Sequence, residues 1–462
     1  MALSEDEARK TAAHLLRLHE TACQDRLDRL RDYMRGGHRR PYAPRSATHE
    51  YHELVRQARV NVLPLVVSTI AQNLFVEGYR PARAPEDAEV WGIWQANRLD
   101  ARQEGLYRAA LTYGTSYATV LPGDPAPVVT PFSPRRLTAV YEDPISDEWP
   151  VYALAVSSTL VDGKSAKLLR LFDASHVHEF VGGDSAQSLT LRDSRTHGLG
   201  VCPVVRWVTD YGDLDDGPQG EIEQLIPLQD QLNNTTFGLL MAQQYAAFRQ
   251  RWVTGMAIPE DEQGNPIEPF NAAVNRVWQS DSPDTRFGDF EQTDLGGYLS
   301  SRESTLRLIS SIAQIPPHAL ASSGAIANLS AEALAAIEAG LQRKVNGYRA
   351  SFGESVEQLM RLAGLAAGSQ RAWEDDNAQV VWRDTESRSL AQLVDALGKM
   401  SQMLAIPPRA LWERIPGVTD QDLRRWEDLA RESDAMARLD QLINRGSDAE
   451  PAGAPADALA SG

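Results

Sequence analysis

The sequence predicts an α+β fold that is mostly helical, with a small antiparallel sheet region between two helical parts. Apolar residues recur every three or four positions near both ends of the chain, which is the helical period. Between residues 116 and 207 that period gives way to short β-branched and aromatic runs separated by Pro, Gly and Asp. The 462 residues exceed the size at which one hydrophobic core keeps growing, so two or three packed regions are expected.

The charge, the apolar runs and the cysteines of the sequence argue against several classes of protein and partner. The formal net charge is −17, which argues against tight DNA binding through clustered cations. No apolar run reaches the roughly 18–20 residues that span a bilayer, and the start is acidic and polar, so neither a membrane span nor a signal peptide is expected. Cys23 and Cys202 lie far apart, which favours two ordinary thiols over a disulfide or a zinc site.

The first helical part begins with a helix over 4–34, which ends at the Gly-Gly and Pro of residues 36–41. Residues 26–45 contain seven arginines and two acidic residues. Two interpretations stay open for that stretch: a solvated helix face with its loop, or an arm that contacts DNA, RNA or an acidic partner. Further helices are predicted over 49–73, interrupted at Pro64, and over 87–97 and 101–113.

The sheet region contains six predicted strand segments, at 117–121, 138–141, 151–156, 168–172, 177–181 and 201–208. Between two of them, Val161-Asp-Gly-Lys has the composition of a two-residue hairpin turn.

The second helical part begins with a helix over 221–248, followed by loop and strand residues and a helix over 295–313. Ile315-Pro-Pro-His stops that helix and opens a nearly uncharged loop. Ser330 is a good N-cap for the next helix, whose apolar residues step by three or four: Leu334, Ile337, Leu341, Val345, Tyr348, Phe352, Val356 and Leu359. Its roughly 35 residues extend about 50 Å and need a partner, within the chain or from a neighbouring copy.

A search for catalytic motifs finds little. The chain has no phosphate-binding Gly-x-x-x-x-Gly-Lys loop, no Gly-x-Ser-x-Gly elbow and no His-Glu-x-x-His. His49, His52 and Glu53 are spaced like metal ligands on a helix, and His176 and His178 share one side of a strand, but such groups are common on wet surfaces. We therefore expect no catalytic residue, no metal and no cofactor.

Five segments carry a resemblance because they occur in one order. They are Asn73-Leu-Phe-Val-Glu-Gly-Tyr, Tyr113-Gly-Thr-Ser-Tyr, Gly198-Leu-Gly-Val-Cys-Pro, Gly220-Glu-Ile-Glu with the later Arg251-Trp-Val-Thr-Gly, and Ile315-Pro-Pro-His-Ala-Leu with Ser330-Ala-Glu-Ala-Leu. Together they resemble the portal proteins of tailed bacteriophages, in particular those of long-tailed phages of actinobacterial hosts. Gly238 departs from the pattern, because an acidic residue is common there.

The resemblance implies the portal fold, assembled into a ring. Its parts would be a wing (1–220), a stem helix (221–251), a clip (252–294) and a returning stem helix (295–314). A tunnel loop (315–330), a long tunnel helix (331–366) and a helical crown (367–445) would follow, and 446–462 would be disordered.

The resemblance also implies function and sites. A non-enzymatic ring of twelve subunits at one capsid vertex would pass double-stranded DNA during packaging and ejection, without sequence specificity. Its partners would be the terminase large subunit, the major capsid and scaffolding proteins and the head-tail connector or adaptor. It would assemble in the host cytoplasm and reside in the virion, away from membranes.

The expected site residues fall into three groups. The tunnel loop facing DNA would use Pro316, Pro317, His318, Ser322, Ser323 and Asn328. Packing between subunits would use Leu334, Ile337, Leu341, Val345, Tyr348 and Phe352 of the tunnel helix, and the clip would begin at Arg251 and Trp252.

Two alternatives remain on the residues alone. The chain is another virion protein, such as a minor head or adaptor protein, or it is a metal-dependent hydrolase that uses His49, His52 and Glu53.

Overall fold

The structure is a computed structural model of the whole chain. It describes residues 3–41, 49–82, 88–161, 164–183, 185–212, 217–247, 251–255, 283–289, 294–320, 331–383, 390–415, 418, 422, 423, 425–432 and 436. The chain divides into two compact units, Met1–Arg383 and Asp384–Gly462. The predicted class, α+β and mostly helical, is confirmed.

The N-terminal helix of the first unit is α1, Glu5–Ala22. It continues through a π-helical turn, Cys23–Leu27, into α2, Asp28–Met34, as the apolar period predicts. Ser4 and Glu7 cap its start reciprocally, so two of the backbone N–H groups left over at a helix start are satisfied. Gly36, with φ of +80°, follows the end of α2.

Four helices and a strand follow: α3 His49–Gln57, α4 Leu63–Ala71, β1 Val76–Arg80, α5 Ala88–Ala96 and α6 Leu99–Tyr113. The predicted break at Pro64 is displaced. Residues 58–62 interrupt the helical block, and Pro64 lies in the first turn of α4, where the N–H that proline lacks would have no partner.

The sheet region forms two antiparallel sheets, of order β3-β2-β9 and β4-β5-β6-β7-β8. The strands are β2 Thr115–Leu121, β3 Val128–Phe132, β4 Leu137–Val140, β5 Tyr152–Val161, β6 Lys164–Phe172, β7 His176–Gly182, β8 Leu189–Thr196 and β9 Val204–Val208. All six predicted segments contain a strand, and Val161 pairs with Lys164 as the hairpin signal predicts. The sequence missed β3 and the mostly exposed β8.

The N-terminal helix covers one side of the five-stranded sheet. Ala12, Leu15 and Leu16 of α1 form a buried cluster with Leu154, Leu169 and Phe180 of the strands. The helix is amphipathic, and this cluster removes its apolar face from water.

The second helical part starts with a 3₁₀ turn, Glu223–Leu225, and α7, Ile226–Ala247. After it come β10 Arg251–Thr254, β11 Arg286–Asp289, α8 Gly296–Ala313, α9 Pro317–Leu320 and α10 Ala331–Ala366. At Gly238 of α7 an added Cβ would lie 2.8 Å from the ring of Tyr298, near the start of α8. Close packing of the two helices therefore accounts for glycine at a position where the resembling family often has an acidic residue.

The boundary predicted after the long helix is wrong. After α11, Gln370–Trp373, the chain forms β12, Gln379–Trp382, which pairs antiparallel with β1. Val380 and Val381 gain main-chain partners on β1, so residues 367–383 belong to the first unit and not to a helical crown. The second unit contains α12, Leu390–Leu404, and a 3₁₀ turn, Pro408–Arg414. The predicted tail, 446–462, lies outside the described residues.

A buried polar network joins α7 to the segment after α2. The side chain of Asn233 donates to Nδ1 of His38 at 2.8 Å, and Nε2 of His38 donates to the carbonyl of Tyr33 at 3.1 Å. The adjacent Gln229 accepts from the N–H of Val62 and donates to the carbonyl of Val60. One nitrogen of His38 must accept a hydrogen bond, so the network requires the neutral imidazole.

Acid should weaken the first unit through this network. Burial lowers the pKa of His38, so the unfolded chain takes up its proton at a higher pH than the folded chain does. The stabilisation is complete above the ordinary histidine pKa near 6.5 and is lost as the pH falls below it. Denaturant unfolding should give a lower free energy of unfolding at pH 5.5 than at pH 7.5.

The substitution His38→Gln should reduce this pH dependence, and His14→Gln, at an exposed position on α1, is the control. An unfolding free energy that is equal at the two pH values would contradict the assignment.

Candidate functional site

The long helix α10 spans the 36 residues for which the sequence predicted it. It finds its partner mainly within its own chain. Leu341, Val345 and Phe352 are buried in the main core, where the ring of Phe352 stacks on Tyr107 at 5.6 Å. These side chains are at most 6% exposed and leave a neighbouring subunit almost nothing to contact, so the predicted subunit packing is wrong for these three residues.

The other members of that predicted set differ. Ile337 is 37% exposed and keeps surface for a partner. Tyr348 is half-buried, and its hydroxyl is used inside the chain, as described next. Leu334 lies on α10, but its side chain is outside the described residues.

A buried ion pair fixes α10 to the rest of the first unit. Nζ of Lys344 donates to Oε2 of Glu221 at 2.6 Å and to the carbonyl of Ala313, at the end of α8, at 2.9 Å. The hydroxyl of Tyr348 donates to the other carboxylate oxygen, and the N–H of Glu221 donates to the carbonyl of Leu111. The Glu221 side chain is 4% exposed, so its charge needs these donors.

Burial and the neighbouring Glu221 carboxylate both raise the pKa of Tyr348, which keeps its hydroxyl protonated and able to donate. We call Glu221, Lys344 and Tyr348 the carboxylate junction. It joins α6, the segment before α7, the end of α8 and the middle of α10.

A second pair lies beside the junction. Nε of Arg26 donates to Glu223 at 3.0 Å, and Nη2 donates to the carbonyls of Pro218 and Tyr113. Gly220 makes this approach possible, because a Cβ there would lie 2.1 Å from the carbonyl oxygen of Thr112. Arg26 therefore serves the fold, although the sequence left it within a candidate binding arm.

The turn after α8 contains a left-handed residue and is stabilised by a side-chain hydrogen bond. Gln314 adopts a left-handed conformation with φ of +54°, and the hydroxyl of Ser310 donates to the carbonyl of Ile315 at 2.6 Å. Pro316 is buried, whereas Pro317 is exposed and begins α9, and His318 is half-buried. Of the predicted DNA-facing loop, Ser322, Ser323 and Asn328 lie outside the described residues.

The predicted clip residues Arg251 and Trp252 lie on β10, opposite Asp289 and Gly288 of β11. The two strands pair antiparallel along their main chains. The role of Arg251 and Trp252 stays a prediction.

The structure also places the residues considered as metal ligands. Glu53 accepts hydrogen bonds from Arg56 and Gln57. Within the ranges described above, no three His, Cys, Asp or Glu side chains are grouped to hold a metal ion. In the same ranges, no helix is long and apolar enough to cross a membrane.

His176 and His178 do share one side of β7, and their rings stack at 5.6 Å. The sequence missed their partner Asp173, whose Oδ2 lies 3.2 Å from Nε2 of His178. Burial would raise the pKa of Asp173, but hydrogen bonds from His178 and from the N–H groups of Ser175 and His176 hold it well below its usual range. This cluster closes the turn between β6 and β7.

The profile of the phage portal protein family, SPP1 Gp6-like, matches residues 14–436. The chain belongs to this family. The expectation from the five ordered segments is thereby confirmed. The family is structural and not enzymatic.

Two curated relatives agree. The portal proteins of Mycobacterium phage D29 and of Mycobacterium phage L5 are each 26% identical over 397 residues, covering 80% of this chain and 79% of the relative. The sequence resemblance pointed to the portal proteins of long-tailed phages of actinobacterial hosts, and these two relatives confirm it.

Solved structures are similar at lower identity. A chain in the virion of the native gene transfer agent (GTA) particle is 14% identical with a TM-score of 0.44, covering 82% of this chain and 99% of that chain. A chain in the neck of the empty GTA particle, computed with C6 symmetry, has a TM-score of 0.46 and 14% identity, with coverage of 80% and 96%.

Removing the cation of the carboxylate junction should destabilise this portal protein strongly. Lys344→Met leaves the Glu221 carboxylate buried without its counter-charge, and breaking such a pair costs about 3–5 kcal/mol of unfolding free energy. The double variant Lys344→Met with Glu221→Gln removes both charges and should cost less than the single one. Urea unfolding followed by circular dichroism measures both.

The control is Arg108→Met, which removes an exposed pair with Glu104 and should cost less than about 0.5 kcal/mol. A Lys344→Met protein as stable as this control would show that the junction does not hold the fold.

Proposed function

We propose that this portal protein forms a closed ring at one capsid vertex, through which double-stranded DNA enters during packaging and leaves during ejection. The match to the portal family over residues 14–436 is the observation that carries the proposal, and the similarity to two named portal proteins supports it. The ring has twelve copies, resides in the virion and assembles in the host cytoplasm. It has no catalytic residue, and the chemical work of translocation belongs to the terminase large subunit.

The remaining partners follow from the same role. The ring meets the major capsid and scaffolding proteins during head assembly and the head-tail connector afterwards. In this arrangement α7 and α8 are the stem, the β10–β11 pair opens the clip, and α10 is the tunnel helix. The turn that begins at Pro316 carries the loop toward the DNA.

The charge of the chain suits a channel that must release its cargo. Twelve copies at −17 carry about −200 charges, so phosphates are repelled within the screening length of about 8 Å. Residues 316–329, which we propose as the constriction, contain no lysine or arginine. DNA that binds the wall weakly can slide along it.

An exposed stripe on α8 is the surface we propose for subunit contact. Leu308 is 48% exposed and Ile312 is 40% exposed, one turn apart, while Leu306 and Ile309 face the core. Ser301, Ser304 and Ser311 continue the exposed stripe without charge. In a head-to-tail ring each copy buries this stripe against a different face of its neighbour.

Charging the stripe should prevent ring formation. In the variant Leu308→Asp with Ile312→Asp, two carboxylates would have to be buried unpaired at each contact, which costs several kcal/mol per interface. Sedimentation velocity of the parent should show a ring-sized species, and the variant should stay monomeric with an unchanged circular dichroism spectrum.

The control is Ile145→Asp, at a 61% exposed position away from α8, which should still assemble. A parent protein that stays monomeric across concentration and salt would overturn the proposed ring, and a variant that assembles normally would overturn the stripe.

A further inference from the structure

The segment from α2 through the following turn is strongly basic in an acidic protein. Residues 26–41 contain six arginines and two aspartates, a local net charge of +4 in a chain of −17. The sequence left open whether this stretch is a solvated face or a binding arm. The structure shows which of these arginines are engaged.

Two of the six arginines are used inside the chain. Arg26 binds Glu223 and two carbonyls next to the carboxylate junction. Arg31 binds Asp32 at 2.7 Å and Asp28 at 3.2 Å, and these are the two aspartates of the segment. Both aspartates of the segment are therefore paired with Arg31, and Asp28 is also paired with Arg135.

The other four arginines are exposed, and we call Arg29, Arg35, Arg39 and Arg40 the arginine patch. None of the four forms an ion pair with a carboxylate of the part of the chain that the structure describes. Arg29 lies 6.0 Å from the ring centroid of Tyr33, a weak contact that leaves its guanidinium in water. The last turn of α2 attracts cations through the helix dipole, which accounts for one arginine there but not for four.

Hydrogen bonds hold the backbone between the arginines of the patch. The N–H of Gly37 donates to the carbonyl of Asp32 at 2.6 Å, and Asn61 donates to the carbonyls of Tyr33 and Met34. His38 is 3% exposed and is bonded at both ring nitrogens, between Arg35 on one side and Arg39 and Arg40 on the other in sequence. A ligand of this surface would therefore have to order mainly the arginine side chains, and less of the backbone.

The surroundings of the patch select the class of ligand. Among residues 26–41, all of which the structure describes, no large apolar side chain is exposed, since Leu27, Leu30 and Tyr33 are buried. Interfaces between proteins depend on buried aromatic or aliphatic anchors, whereas contacts with the DNA backbone are polar and rich in cations. An exposed set of arginines without an apolar anchor therefore fits phosphates better than it fits an acidic protein.

We propose that the arginine patch binds the phosphate backbone of duplex DNA without sequence specificity, as a surface contact separate from the passage of DNA through the ring. Each guanidinium neutralises a phosphate and releases the counterions condensed on it. The binding constant should therefore fall steeply as the salt concentration rises.

The test measures binding of the full chain to a fluorescent, covalently closed DNA minicircle between 50 and 300 mM salt. A closed circle has no end to thread through a preformed ring, so its binding reports on the outer surface. The patch variant carries Arg29→Gln, Arg35→Gln, Arg39→Gln and Arg40→Gln. It should bind at least tenfold more weakly at about 50 mM salt, and the slope of log K against log salt should shrink by about three to four.

Two further variants make the outcome specific. Arg17→Gln, Arg102→Gln, Arg136→Gln and Arg371→Gln remove the same charge at four exposed positions on α1, on α6, between β3 and β4 and on α11. That control should bind within about threefold of the parent. Replacing the four patch arginines by lysine keeps the charge and should retain most of the binding, because a phosphate accepts either cation.

Three results would overturn the proposal. The patch variant binds the minicircle as the parent does, the scattered control loses as much binding as the patch variant, or a polyglutamate peptide binds in a patch-dependent way while the minicircle does not bind. The last result assigns the patch to an acidic protein. Sedimentation of the same samples reports ring formation independently, so loss of the ring and loss of binding are distinguished.

Discussion

The buried carboxylate of Glu221 is the constraint on which the arrangement of the first unit depends. A charge that is 4% exposed is tolerated only where donors replace water, and here Lys344 and Tyr348 of α10 supply them. Lys344 also binds the carbonyl of Ala313, and the main chain of Glu221 binds α6. One buried carboxylate therefore links α10 to α6 and to the segment before α7, and Lys344 extends the link to the end of α8.

This constraint bears on what a portal subunit has to do. The turn from Ile315 to Leu320 follows α8 directly, and Ala313 is tied to the middle of α10 through Lys344. The hydrogen bond from Lys344 to Ala313 thus connects the segments on either side of the proposed DNA-facing loop, although the two residues are about 30 positions apart in sequence. Through the main-chain bond from Glu221 to Leu111, the same junction also connects these segments to α6.

Much of this fold could be predicted because it follows from local pattern. The period of α10, the alternation in β5–β7 and the Asp-Gly signal between Val161 and Lys164 are properties of neighbouring residues, and they predicted the elements well. The pairing of β12 with β1 joins segments about 300 residues apart, and no local pattern encodes it. The burial of Leu341, Val345 and Phe352 was misassigned for a related reason: an apolar stripe shows that a helix has a partner but not which one. A lysine within that stripe, Lys344, was the available signal for a buried ion pair.

We propose that the carboxylate junction holds α10 so that the turn beginning at Pro316 faces an axial channel in a ring of these subunits. A cryo-electron microscopy reconstruction of the assembled protein, viewed along its symmetry axis, would show where each part of the subunit lies. We expect a closed ring with residues 316–330 nearest the axis, α8 at the contact between neighbours and Lys344 bound to Glu221 in every copy. An open or helical assembly, or a ring with that segment on its outer perimeter, would contradict it.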